Sequence, residues 1–133
     1  MGKILSLDYG LARIGVAISD EGRKYSFARE AIIVADTADV FMEIKNLIDT
    51  EEVDEVLIGL PIGLSGDYTE QTDKVKAWGA ELAEAIKLPV KYWDERLSTQ
   101  AAQHMVGKKK DGRVDSQAAQ LILENYLTNQ AKQ

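Results

Sequence analysis

The change of hydrophobic period along the chain is the feature that most constrains its fold. Two short apolar runs, at residues 4–7 and 14–18, are separated only by a short turn and predict an antiparallel hairpin. A third strand over residues 25–34 extends this hairpin. From residue 40 onward the apolar residues recur at helical spacing, with Asp36 and Thr37 as capping candidates, and strands then alternate with helices.

The second half of the chain predicts two more strands and three more helices. The strands are at residues 56–60 and 90–93, and the helices are at about 75–86, 98–106 and 115–127. The predicted order is therefore β-β-β-α-β-α-β-α-α, without repeats or a linker. Antiparallel strands continued by βα units give an α/β fold, with a mixed five-stranded sheet, its first three strands antiparallel, and helices on its faces.

Length and composition exclude several kinds of site. A chain of 133 residues has the size of one domain, and we expect a single domain over residues 1–133. It has no cysteine and only one histidine, His104, which excludes thiol chemistry, disulfides and zinc–thiolate or histidine-rich metal sites. No apolar stretch approaches the roughly 18 residues of a membrane span, and Asp8 comes too early for a signal peptide. We expect a cytoplasmic protein with no membrane partner.

The carboxylates suggest a metal site. Asp8 follows the first strand, Asp94 and Glu95 follow the last strand, and Asp115 begins the last helix. Asp115 lies on the apolar side of that helix, which carries Ala118, Ala119, Ile122 and Leu123. A carboxylate buried over a sheet needs a charged partner. If that helix covers the centre of the sheet, the acids converge, and a hard divalent cation such as Mg²⁺ is their natural partner. Two such ions can activate water against a phosphodiester.

Several motifs resemble the YqgF family, and the resemblance covers nearly the whole chain. The opening segments 7–10 and 13–20 look like the family's first signature, and segments 59–61, 94–99 and 114–119 match its later motifs in order. YqgF proteins are described as Holliday junction resolvases and as nucleases for the 5′ end of pre-16S ribosomal RNA. The resemblance implies a ribonuclease H-like fold and a metal-dependent nuclease acting on structured nucleic acid.

The resemblance also implies which residues form the site. Asp8, Glu95 and Asp115 are the expected catalytic and metal-binding residues, with Mg²⁺ or Mn²⁺ as cofactor, and Asp94 is a further candidate ligand. In the wider resolvase group an acid often follows the fourth strand, whereas Pro61 stands there in this sequence. The second carboxylate must therefore come from Asp94 or Glu95.

A basic segment just before Asp115 provides candidate contacts to phosphate groups. The net charge is −6, but residues 36–84 contain 13 of the 22 acidic residues, and residues 85–133 are mildly basic. A charge run is usually only a solvated loop. The predicted nucleic-acid-binding residues are Lys108, Lys109, Lys110, Arg113, Arg13 and Arg96.

Four functions remain open at the level of sequence. The first is a nuclease for precursor ribosomal RNA, and the second is a resolvase for branched DNA, which requires a two-fold dimer to cut two strands symmetrically. The oligomeric state is accordingly a monomer or a homodimer. The third is a nucleic-acid-binding protein without turnover. The fourth follows from Asp8 and Gly10, which also resemble the phosphate-binding turn of actin-like ATPases, although those need two such domains.

Overall fold

The structure is a computed structural model that describes residues 2–63, 65–97 and 114–131, without the side chains of Val114, Asp115 and Ala131. The strands are β1 (Lys3–Asp8), β2 (Arg13–Ser19), β3 (Ser26–Ile33), β4 (Val53–Leu60) and β5 (Val90–Asp94). The helices are α1 (Val40–Glu51), α2 (Glu70–Ile86) and α3 (Val114–Ala131). Their order confirms the predicted order, apart from the helix predicted at 98–106, which lies outside the described residues.

The strands form one mixed sheet in the order β3-β2-β1-β4-β5. Strands β1, β2 and β3 pair antiparallel, and β4 pairs parallel with both β1 and β5. The predicted hairpin and the predicted α/β class are therefore confirmed. Parallel strands β1, β4 and β5 end at the same edge of the sheet, where ligands of open α/β sheets bind.

Helices α1 and α2 cover one face of the sheet. Their buried side chains join alternate residues of the strands in an apolar core, which includes Leu5, Leu7, Ile44, Ile58 and Leu82. Helix α1 begins after Asp39, whose side chain accepts a hydrogen bond from the Met42 amide. The expectation that Asp36 or Thr37 caps this helix is therefore wrong, because Asp36 belongs to a short 3₁₀ turn that follows β3.

Helix α3 covers the other face of the sheet. Its predicted apolar stripe is buried against the strands in a smaller core, which includes Ile4, Leu57, Ala119, Ile122 and Leu123. The helix continues to Ala131 and does not end near residue 127 as the sequence predicts. In its polar last turn the side chains of Thr128 and Asn129 donate hydrogen bonds to the carbonyls four residues earlier, those of Glu124 and Asn125. Within the described ranges no helix has the length and apolarity needed to cross a membrane.

Candidate active site

Asp8 stands at the end of β1 on the face that α3 covers. Side chains alternate between the two faces along a strand. Ile4 packs in the core beneath α3, and Ser6 Oγ donates a hydrogen bond of 2.9 Å to the Ala119 carbonyl of that helix. Asp8, two residues beyond Ser6, continues the same row. Its position at the end of β1 brings its carboxylate to the edge where β4 and β5 also end.

Glu95 reaches Asp8 across strand β4. Its amide donates to the Leu60 carbonyl at 3.0 Å, so that the residue is anchored where β5 and β4 end. Its side chain then crosses Gly59, where a Cβ atom would lie only 2.8 Å from Glu95 Oε1. The carboxyl group of Glu95 is hydrogen-bonded to the carboxyl group of Asp8. Only glycine at position 59 leaves room for this contact.

The environment of Glu95 favours its protonated form. Burial, the hydrogen bond with Asp8 and the negative charges of Asp8 and Asp94 raise the pKa of Glu95 to about 8. A neighbouring negative charge disfavours ionisation of a carboxyl group. Glu95 therefore holds a proton at neutral pH when no metal is bound, and that proton marks a place where positive charge is favoured.

Asp94 has a different partner from Glu95, although the two residues are adjacent. Both of its carboxylate oxygens accept hydrogen bonds from the Arg96 guanidinium. Oδ2 accepts from Nη2 at 2.6 Å and from Nε at 3.0 Å, and Oδ1 also accepts from Nε. The hydrogen bonds from Arg96 hold the pKa of Asp94 below its usual value. Arg96 Nη1 also donates to the Gly63 carbonyl at 3.4 Å, so that this pair ties the end of β5 to the loop after β4.

Asp115 is the second residue of α3, in its first turn. Its side chain lies outside the described part of the structure, and its predicted role stays a prediction. The backbone of α3 is placed by the contact between Ser6 and Ala119. Asp115 lies about one turn before Ala119, or about 6 Å along the helix, and Asp8 lies about 6.6 Å along the strand after Ser6. The two residues are therefore at similar distances along their elements from the hydrogen bond between Ser6 and Ala119.

The donors at this site suit a hard divalent cation. Asp8 and Glu95 offer only carboxylate oxygens, which are the ligands that Mg²⁺ and Mn²⁺ take in proteins. Among the described residues no group of three or more histidine, cysteine, aspartate or glutamate side chains is arranged to hold a metal. The structure thus brings together two of the predicted ligands, Asp8 and Glu95, pairs Asp94 with Arg96, and leaves the metal-binding role of Asp115 a prediction.

Of the residues predicted to contact nucleic acid, the structure describes Arg13 and Arg96. Arg13 is the exposed first residue of β2, and the guanidinium of Arg96 is engaged by Asp94. The basic segment with Lys108, Lys109, Lys110 and Arg113, like His104, lies outside the described residues.

Sequence reasoning missed the part that Gly59 plays in the site. The sequence pattern that could have indicated it is a glycine among the apolar residues of a strand, because such a glycine often marks the close approach of another group. The approaching groups are Glu95 and Ile122, whose Cδ1 atom would lie 2.4 Å from a Cβ at position 59.

Comparison with known proteins identifies relatives over almost the entire chain. A protein of Halothermothrix orenii named "Putative pre-16S rRNA nuclease" is 38% identical, with 98% of this chain and 97% of the relative covered. A protein of the same name from Maridesulfovibrio salexigens is 36% identical, with 94% and 97% covered.

Solved structures and a family model complete the comparison. The Thermus thermophilus RuvC structure in complex with a Holliday junction substrate has a TM-score of 0.60 and 12% identity, covering 98% of this chain and 97% of that one. This likeness confirms the ribonuclease H-like fold. The model of RuvX, described as "Holliday junction resolvase", matches residues 2–129. The resemblance to YqgF proteins is confirmed, and the chain belongs to the RuvX family.

Proposed function

We propose that this protein is a divalent-metal-dependent endonuclease whose substrate is the 5′ end of pre-16S ribosomal RNA. The observation that carries the proposal is the contact between the carboxyl groups of Asp8 and Glu95, which lies where the three parallel strands β1, β4 and β5 end. The names of the relatives from Halothermothrix and Maridesulfovibrio support the choice of RNA. This function is consistent with a single nuclease domain over residues 1–133 and with a cytoplasmic location.

Asp8 and Glu95, joined by Asp115, are the residues that would hold Mg²⁺ or Mn²⁺. When bound, the metal supplies an activated water and neutralises charge on the phosphate. Glu95 would hold such a metal in its ionised form, so that both carboxylates could offer oxygen ligands, and metal affinity would rise with pH. Gly59 keeps the path of Glu95 across β4 open. Asp94 holds Arg96 and is placed here as a positioning residue that fixes the end of β5.

Branched DNA is the second candidate substrate. It is favoured by the description of the RuvX family and by the fold shared with RuvC. A resolvase cuts two strands symmetrically and therefore works as a two-fold dimer. An RNA nuclease has no such requirement, so the oligomeric state separates the two candidates.

The decisive experiment compares neighbouring carboxylates. Asp8→Asn and Glu95→Gln remove proposed metal ligands, whereas Asp94→Asn is the matched control, because Asp94 contacts Arg96. Each purified protein is incubated with Mg²⁺, Mn²⁺ or EDTA and with a 5′-extended 16S RNA fragment or a four-way DNA junction. We expect the first two variants to lose more than the roughly 100-fold that loss of an outer-shell partner costs, and the control to lose less.

A thermal melt accompanies the cleavage assay. Mg²⁺ at a hundred times its Kd stabilises a protein by about 2.7 kcal/mol, and we expect this stabilisation in the parent and in the Asp94 variant only. Full cleavage by Asp8→Asn would exclude the metal-nuclease proposal. Binding of either nucleic acid without cleavage by the parent under any metal condition would favour a binding protein. Affinity for ATP without affinity for nucleic acid would favour the actin-like alternative.

A further inference from the structure

A groove of about 650 Å³ runs along the outer edge of β5, which is the last strand in the described sheet. Aromatic side chains form much of its wall. Tyr68 and Tyr92 lie towards α2, and Trp93 lies towards α3. The size is within the roughly 300–1,000 Å³ of small-molecule sites, but this groove is open along its length. Its shape fits an extended chain better than an enclosed ligand.

Lys76 on α2 adds a positive charge to the aromatic wall. Its ammonium lies 5.1 Å from the centroid of the Tyr68 ring and 5.7 Å from that of Tyr92. Lys76 is exposed, and within the described ranges it forms no ion pair with a carboxylate. Its charge is therefore held in place by two rings and is available to an anion from solvent.

The groove is continuous with the candidate active site. Leu60 and Asp94 are among its lining residues, and the Leu60 carbonyl is also the acceptor for the Glu95 amide. The groove therefore borders Glu95, one of the proposed metal ligands, where β4 and β5 end.

We propose that the groove beside β5 binds a single-stranded segment of the substrate, next to the phosphate that is cut. Bases stack on exposed aromatic rings only when they are not stacked within a duplex, and stacking is tolerant of base identity. Tyr68 offers such a ring, with 55% of the residue exposed, and Lys76 offers a contact to the backbone phosphates. The inference rests on the proposed nuclease function and adds that the substrate is unpaired on one side of the cut.

The test measures binding separately from cleavage. Fluorescence anisotropy records binding of a labelled 12-nucleotide RNA, and of a blunt duplex of equal length, in EDTA. Tyr68→Ala and Lys76→Gln are compared with Tyr25→Ala and Lys24→Gln, which alter an exposed tyrosine (65% exposed) and an exposed lysine beside the opposite edge strand, β3.

We expect Tyr68→Ala to weaken single-strand binding by roughly 5- to 150-fold, the range for one stacked base, and Tyr68→Phe to bind like the parent. Lys76→Gln should reduce the salt slope by about 0.7 for one lost phosphate contact. The Tyr25 and Lys24 variants should match the parent. The inference would be overturned if the groove variants and the control variants lost the same affinity for single-stranded RNA, or if Tyr68→Ala lost none. A peptide strand would then be the occupant to test next.

The test distinguishes failure of the groove inference from failure of the nuclease proposal. If the parent binds single strands through Tyr68 and Lys76 but cuts nothing, single-strand binding by the groove is confirmed, whereas the nuclease function and the position beside a cut phosphate both fail. If the parent cuts RNA and both groove variants cut and bind as the parent does, the nuclease function stands and the groove inference fails. A parent that binds duplex as tightly as single strand would also overturn it.

Discussion

The two faces of the sheet use the same strands for different purposes. The face under α1 and α2 is an apolar core with fully buried residues such as Leu5, Ile58 and Leu82. The face under α3 has a smaller core and alternates apolar with polar positions. Along β1 its row consists of Ile4, Ser6 and Asp8, in order of approach to the site.

Buried polar groups on the α3 face need hydrogen-bond partners within the fold. Ser6 donates to α3, and Ser19 accepts from the Ile4 amide at 2.8 Å and donates to the Asp20 carbonyl. Ser116 Oγ in α3 is buried, and the part of the chain that the structure describes provides no hydrogen-bond partner for it. A buried polar group without a partner costs stability, and so does a buried pair of carboxyl groups that are both ionised. The face under α1 and α2 therefore supplies the larger apolar core, and the face under α3 also positions the candidate active site.

The largest expected effect is on the face under α1 and α2. Leu82→Ala removes a fully buried side chain, and we expect a loss of about 2–5 kcal/mol in the free energy of unfolding. Denaturant unfolding with and without Mg²⁺ measures it, and the stabilisation by Mg²⁺ should stay unchanged. Met42→Ala on the same face of the fold is the control, because Met42 is 51% exposed, and we expect a change within about 0.5 kcal/mol. A Leu82 variant that lost its response to Mg²⁺ would contradict the division between the faces.

The second effect is a dependence of stability on pH that belongs to the α3 face. The pKa of Glu95 is raised from 4.5 to about 8 in the fold, so the native protein keeps a proton that the unfolded chain releases. In EDTA the stability contributed by this proton is complete below about pH 4.5 and is lost as pH rises through about 8. The slope is at most about 1.4 kcal/mol per pH unit.

Adjacent carboxylates again provide the control for this prediction. The pKa of Asp94 is lowered by Arg96, so its contribution is present above its ordinary value of 3.8 and is lost only as pH falls below it. Thermal melts between about pH 5 and 8 should therefore lose their slope in Glu95→Gln and keep most of it in Asp94→Asn, because the charge of Asp94 is the smallest of the causes that raise the pKa of Glu95. A slope that survived in the Glu95 variant would show that another group carries the proton.

Sequence reasoning predicted the parts of this fold that depend on local pattern. The hairpin, the alternation of strand and helix and the buried stripe of α3 all follow from periods of two and 3.6 residues, which a single segment displays. It could not choose between Asp94 and Glu95, because neighbours in sequence have the same local pattern. Their difference comes from groups far along the chain, Asp8 across β4 for one and the Gly63 carbonyl that holds Arg96 for the other.

Capping shows the same limit on a smaller scale. Asp36, Thr37 and Asp39 are all residues that favour a helix start, and the choice among them depends on where β3 ends. The 3₁₀ turn after Ile33 includes Asp36, so α1 begins only after Asp39, whose side chain accepts a hydrogen bond of 3.2 Å from the Met42 amide.

The smallest expected change in stability concerns Gly59, where the side chain of Glu95 crosses β4 on the α3 face. Gly59→Ala adds one methyl group to the α3 face, 2.4 Å from Ile122 Cδ1 and 2.8 Å from Glu95 Oε1, and we expect overpacking to cost about 1–3 kcal/mol. Gly22→Ala is the control, since its nearest atom is a side-chain oxygen of Asp20 at 3.2 Å. Because the new methyl group blocks the path of Glu95 to Asp8, Gly59→Ala should also flatten the pH slope and weaken Mg²⁺ stabilisation, and the control should do neither. If the alanine at position 59 cost stability but left both responses intact, Glu95 would not need to cross β4 at this point. The α3 face would then tolerate packing changes as independently of its chemistry as the face under α1 and α2.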